Sequence, residues 1–226
     1  MHPRATPVSR PAAITPRPWK TTYRENVTGQ QQDEVPARAT GGGLEPDDAL
    51  ADVAIALLGR GEHRVVHLLD VLDGAAATPA DVVRAGDDLL PRLAHENMLG
   101  SALAAARAVL RPGGLLVVAV PELDRLRRLR PIAPPPRVSG RGERRQVTVQ
   151  LWDWAEDGES YGLEVVQLVR RDNTWEVATA VSTRHRVLTA ERISAELAEA
   201  GFTGVRRLSP RECGHPLPVW VAVAPW

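Results

Sequence analysis

Six consecutive apolar residues, LLVVAV at 115–120, close a stretch that reads AARAVLRPGGLLVVAV from residue 105. A strand with one face in water alternates apolar and polar residues, whereas a run without alternation needs cover on both faces. The stretch therefore predicts the end of a helix, a corner at Pro112 and Gly113, and a strand buried on both sides.

The flanking sequence extends the same rhythm. GGGLEPDDALADVAIALL supplies a Gly-rich turn and then a helix to about Leu58, with Pro46, Asp47 and Asp48 in a first turn that has spare N–H groups and a positive dipole end. RVVHLL (64–69) and ADVVRAG (80–86) are rich in β-branched residues and predict two strands, with TPA as the turn before the second. A long Ala/Leu helix is expected from about His95 to Leu110. Strands and helices in this order predict an α/β fold with a Rossmann-like, mainly parallel sheet and right-handed connections. Ligands of such sheets bind at the carboxyl ends of the strands.

The second half changes character. RRQVTVQLWDW, YGLEVVQLV and TWEVATAVSTRHRV are joined by the turn-rich links AEDGES and RRDN, which predicts an inserted three-stranded antiparallel meander over about 146–187. Thr189 then caps a helix, AERISAELAEAGF, with Ile193, Leu197 and Ala200 on one stripe and Gly201 at its stop. GVRRL and VWVAVA form a closing strand pair.

The chain has 226 residues with 43% apolar content, enough for one full core plus an appendage. Residues 1–40 carry scattered prolines and a Gln run with little periodicity, which predicts a disordered or irregular segment before a domain at 41–226. A transit peptide is the competing reading for the Arg-containing start, and its prolines oppose an amphipathic helix. Twenty-eight basic residues balance twenty-eight acidic ones, so no net field favours nucleic acid or an anionic membrane. Cys213 stands alone, and no metal-ligand spacing is present. With neither a signal-peptide core nor an apolar span, a cytoplasmic location is expected.

The order GLEPDDALADVA, RVVHLLDVLDG, ADVVRAGDDLLPRL, LAAARAVLRPGGLLVVAV, RVLTAERISAELAEAGF and a terminal strand pair resembles the class I S-adenosylmethionine-dependent methyltransferases. The meander is similar to that of the glycine and sarcosine N-methyltransferase branch. The resemblance implies S-adenosylmethionine as cofactor and a small-molecule methyl acceptor. It implies that Glu45 holds the ribose hydroxyls, a task suited to an acceptor-only carboxylate, the competing reading being a helix-start acid. Asp70, with Val71, would meet the adenine, the competing reading being a solvated loop aspartate. Gly86 and Asp87 would line the methionine end. Trp152, Trp154, Tyr161 and Trp175 would supply apolar or cation-binding surface to the acceptor, and Arg137, in a loop, an acidic group of it. Asp88, His95 and Glu96 read as a solvated helix start and are given no role.

One part of the pattern is missing from the sequence. The family's first strand and its acid-x-Gly-x-Gly-x-Gly loop belong about twenty-five residues before Glu45, and 15–40 contain no such loop. That strand lies mid-sheet in the family, so its loss is expected to leave neighbouring backbone unpaired. A second register makes Gly41–Gly43 the loop and Asp70 the ribose acid, but leaves about ten residues before ADVV, too few for a further helix and strand. The alternative to an enzyme is accordingly a truncated or non-catalytic methyltransferase-like scaffold that binds a partner. A dinucleotide oxidoreductase ranks third, since no strand precedes the glycines.

Overall fold

The computed structural model describes residues 46–226 apart from 60, 77 and 87, all within the unit Thr40–Trp226. The unbroken apolar runs become inner strands of a five-stranded sheet. Its spatial order is β1 (Val65–His67), β2 (Ala80–Ala85), β3 (Leu110–Ala119), β9 (Val219–Val223) and β8 (Thr203–Leu208). β1, β2 and β3 pair in parallel, and β9 runs antiparallel to both β3 and β8.

The absence of alternation has a direct physical cause. Val82, Leu115, Val117 and Ala119 join one core, to which helix α1 (Pro46–Leu58) brings Leu50, Val53 and Ala54. Val83, Leu116 and Val118 join the other, with Leu68 of α2 (Leu68–Leu72), Leu90 and Leu93 of α3 (Leu89–His95), Leu103 of α4 (Leu99–Val109) and Leu197 of α6 (Ala190–Glu199). Each fully buried Leu or Val among them contributes about 1.5–3 kcal/mol relative to exposure.

Several boundaries differ from the sequence reading. The strand expected at 64–69 ends at His67, whose ring Nδ1 accepts from the Leu69 amide and caps α2. Asp70 and Val71 consequently lie on a short helix rather than at a strand end. The helix expected over 95–110 is observed as α4, which starts only at Leu99 because Asn97, in a left-handed φ of 57° that Asn tolerates, separates it from α3. Pro112–Gly114 form no corner: Ala80 pairs with Leu110 and Val82 with Leu115, so residues 111–114 bulge out of β3 opposite Asp81. Gly113 has φ 76°, and a Cβ on Gly114 would stand 2.9 Å from the Arg111 carbonyl and 3.1 Å from that of Asp81, so this bulge needs both glycines.

The expected gap beside β2 is also corrected. Among the described residues 68–79 hold only α2, and β1 joins β2 directly, with Val65, Val66 and His67 paired to Val82, Val83 and Arg84. The backbone of β2 is thereby partnered on both sides.

The insertion is a four-stranded antiparallel sheet rather than a three-stranded one: β4 (Arg137–Ser139), β5 (Gln146–Trp154), β6 (Ser160–Arg171) and β7 (Thr174–Arg186). Arg137 therefore sits on a short strand, opposite Thr148, and not in a loop. Helix α5 (Asp124–Leu129) leads into this sheet, and α7 (Pro210–Cys213) connects β8 to β9. Among the described residues no helix is long and apolar enough to cross a membrane.

Candidate functional site

The antiparallel sheet touches the carboxyl end of the parallel one through a row of rings. Strand pairing sets Trp154 opposite Tyr161 and Tyr161 opposite His185, while Trp152 lies two residues along β5 on the same face. Tyr161 stacks on Trp152 with centroids 5.0 Å apart and on His185 at 5.0 Å, and Trp152 stacks on Trp154 at 5.4 Å. Stacked pairs of this kind add about 0.5–1.5 kcal/mol each beyond the area they bury. Leu123 and Val187 close the cluster, with Leu126 and Leu163 at its margin. The Trp154 indole donates to the Pro131 carbonyl at 2.9 Å and the Trp152 amide to that of Ile132 at 2.7 Å, which ties the chain after α5 to β5.

His185 is fully buried, and its Nε2–H donates to Oδ2 of Asp88 at 3.2 Å, a residue just beyond the carboxyl end of β2. The Asp88 side chain is 45% exposed, so the pair joins a sealed imidazole to a carboxylate that solvent or a ligand can reach. Burial opposes ionisation of Asp88, yet the hydrogen bond and charge of His185, helped by its own amide and Arg92, hold the carboxyl below the usual range. Burial, and then the Asp88 charge, push the Tyr161 hydroxyl well above the ordinary tyrosine value. Burial also lowers His95, at the end of α3, and so do the charges of Arg184, Arg186 and His185, against an opposing Glu96.

The sequence reading missed His185 and gave Asp88 no role. The signal was hidden by a bulge. Counted back from the two-residue turn Asp172–Asn173, both at positive φ as a type I′ hairpin requires, the residue opposite Tyr161 would be Arg184. Leu168 pairs with Val177 but Gln167 with Thr179, so Ala178 is an extra residue that advances β7 by one and brings His185 to the row.

The other expected site residues divide into groups. Glu45 and Asp87 lie outside the described residues. Asp70 and Gly86 are half-buried, each just past the carboxyl end of its own strand, β1 and β2, which are neighbours in the sheet. Asp70 has no side-chain partner among the described residues, while Val71 turns into the core beside Leu68. Trp152 and Trp154 belong to the ring row. Arg137 is exposed at the outer strand of the antiparallel sheet, and Trp175, 46% exposed, lies on the opposite face from the rings.

A second depression, of roughly 600 Å3, opens at the amino end of the parallel sheet between Glu62, His63, Arg64, Pro79, Asp81 and Arg111. Asp81 and Arg111 in it are already paired with each other. The Arg111 guanidinium, with the Arg64 amide, holds the Asp81 carboxyl below its usual range, and Arg64 also donates to the Pro79 carbonyl. It lies at the end of the sheet where such folds do not bind ligands.

No family model matches the chain, and no curated protein matches it. Solved structures do. An amino pentose methyltransferase from Micromonospora echinaspora, solved with S-adenosylmethionine, is 17% identical, with 80% of this chain and 92% of that one covered and a TM-score of 0.59. A sugar N-methyltransferase from Streptoalloteichus is 14% identical over 100% of both chains, with a TM-score of 0.57. An S-adenosylmethionine-dependent methyltransferase from Clostridium acetobutylicum is 10% identical at a TM-score of 0.50, and the match spans 60% of its length. At these identities the shared property is the architecture: the chain has the Rossmann-like fold of the S-adenosylmethionine-dependent methyltransferases, with a mainly parallel sheet joined to an antiparallel one.

Proposed function

We propose that this chain binds S-adenosylmethionine and catalyses methyl transfer to a small-molecule acceptor, with an amine on a small polar molecule as the favoured nucleophile. The observation that carries this reading is the half-exposed Asp88 carboxylate at the end of β2, held anionic by the buried His185 beside the ring row. The fold is that of methyltransferases, and two similar structures are those of an amino pentose and a sugar N-methyltransferase.

The donor set suits the cofactor. Asp70 offers a half-buried carboxylate with no partner among the described residues, able to accept from an amino group or hydroxyls, and Gly86 leaves backbone accessible at the end of β2. Glu45 and Asp87 complete that set in this reading, with Val71 contributing backbone beside Asp70. When bound, S-adenosylmethionine supplies an electrophilic methyl group on a sulfonium. The chain's own residues do the remaining work, which is alignment and exclusion of water. Asp88 accepts a hydrogen bond from the N–H of the acceptor's neutral amine and aims its lone pair at the methyl group, and its negative charge then faces the ammonium that transfer leaves. His185 fixes the carboxylate's rotamer. Trp152 and Trp154 form the apolar wall, and Arg137 reads any acidic group at the outer edge.

The test is a methyl-transfer assay with methyl-labelled S-adenosylmethionine and a panel of small amines and amino sugars, run beside calorimetry with S-adenosylhomocysteine. Label transfer that Asp88→Asn lowers by about 100-fold, within the range expected when the group that aligns the nucleophile is lost, supports the reading. Absence of binding to either nucleoside would overturn it and favour the partner-binding scaffold.

A further inference from the structure

The ring row carries a polar atom that the fold does not use. Tyr161 is 4% exposed, and its ring stacks on those of both Trp152 and His185. Its hydroxyl has no hydrogen-bond partner among the described residues. It is not sealed either: the buried polar atoms without partners in this row are the indole N–H of Trp152 and Nδ1 of His185, and the Tyr161 oxygen is not among them. The hydroxyl therefore meets open space.

Strand register says which space that is. Tyr161 and His185 are directly opposed on β6 and β7, and side chains stand roughly perpendicular to a sheet. With centroids 5.0 Å apart and planes 27° apart, the two rings rise side by side, and the phenol, the longer of the two, carries its hydroxyl past the imidazole. Nε2 of that imidazole meets Asp88 at 3.2 Å. The hydroxyl accordingly comes level with the Asp88 carboxylate and fronts the same junction at the carboxyl end of β2. Burial and the Asp88 charge hold the hydroxyl well above the ordinary tyrosine range, so it keeps its proton. The same charge draws that proton towards the carboxylate and leaves the oxygen lone pairs facing the junction.

We propose that the Tyr161 oxygen is a second acceptor for the amine's N–H groups and limits transfer to one methyl group per amine. The inference rests on the methyl-transfer reading of this site. A neutral primary amine has one lone pair and two N–H bonds. With Asp88 accepting from one N–H and Tyr161 from the other, the lone pair has a single direction left, towards the methyl group. Transfer forms the C–N bond as the C–S bond of the sulfonium breaks with its electrons going to sulfur, and the ammonium so formed loses a proton to water. The product is a secondary amine with a single N–H. To react again it must turn its new methyl towards the Tyr161 oxygen, which then loses a hydrogen bond in a half-dry site, a cost that the first transfer does not carry.

The experiment gives the full chain methyl-labelled S-adenosylmethionine and a panel of small amines and amino sugars, each as the primary amine and as its N-methyl derivative, and reads the products by mass. The wild type is expected to add one methyl to the primary amine and to use the N-methyl derivative about tenfold less well, the worth of one net hydrogen bond. Tyr161→Phe keeps the ring stack and the near-ultraviolet dichroism of the row. It slows the primary amine about tenfold, narrows the gap between the two substrates and lets dimethylated product appear, whereas Asp88→Asn slows both substrates together. A wild type that carries the primary amine straight through to the dimethyl product overturns the proposal, and so does a Tyr161→Phe variant with wild-type selectivity. A chain that binds S-adenosylhomocysteine but methylates no amine overturns it too, while cofactor binding stands. A chain that binds neither nucleoside removes the methyl-transfer reading itself.

Discussion

Asp88 and His185 show how one buried ring can set the behaviour of a carboxylate that reaches solvent. The folded-state pKa of Asp88 lies below its ordinary value of 3.8, so the pair stabilises the fold at pH values above that point and the contribution is lost as pH falls through the lowered value. Acid unfolding of Asp88→Asn followed by circular dichroism is expected to lose sensitivity below about pH 4 relative to wild type, while the two melt alike in shape above pH 5. Tyr161 works in the opposite sense: its raised value means stability that is present below about pH 10 and lost as pH rises beyond it. His185→Gln keeps a donor but not the ring stack, and a loss of about 1–3 kcal/mol in urea unfolding is expected, as for a partly satisfied buried group. An unchanged midpoint in that variant would mean that the ring and the carboxylate do not hold the two sheets together.

At the scale of elements, the decisive feature is the single extra residue in β7. Inserting one residue between Val181 and Ser182 shifts the last part of β7 by one, and Arg184 then takes the place of His185 against Tyr161. A guanidinium forced into the ring row is costly unless it finds a partner as His185 finds Asp88. The insertion is expected to lower stability by about 3 kcal/mol or more and to abolish near-ultraviolet dichroism from Trp152 and Trp154, with the far-ultraviolet strand signal retained. The pattern also explains why Trp175 and Trp154 part company although both stand on strands of one sheet, β7 and β5 on either side of β6. On β7 the bulge separates Trp175 from the half of the strand that carries His185, and cross-strand pairing with Arg170 sends Trp175 outward.

For the whole molecule, the arrangement is a doubly covered parallel sheet whose carboxyl ends meet the ring row of a long antiparallel sheet. Binding in that junction stabilises the folded chain by mass action. S-adenosylhomocysteine at about a hundred times its dissociation constant is expected to add about 2.7 kcal/mol and raise the melting temperature accordingly. Asp70→Ala should reduce the binding free energy by about 1–3 kcal/mol, measured by calorimetry, with little effect on the unliganded melt because no described partner is lost. Equal affinity in wild type and Asp70→Ala would remove that carboxylate from the cofactor's surroundings.

Local chemistry reached a long way along this chain. The unbroken LLVVAV run, Pro46 in the first turn of α1, Thr189 as the cap of α6 and the Asp172–Asn173 turn each reflect interactions within a few residues, and those parts of the fold were legible without coordinates. Others were decided by distant partners. β1 is only three residues long because the His67 ring captures an amide of the next turn, and its place beside β2 depends on pairing between Val65–His67 and Val82–Arg84. The pairing of Asp88 with His185, ninety-seven residues apart, follows from a bulge whose position is set by how β7 packs. Periodicity and capping act over one or two turns of chain, whereas register across a sheet and the company a buried polar group keeps are fixed only when the layers close on each other.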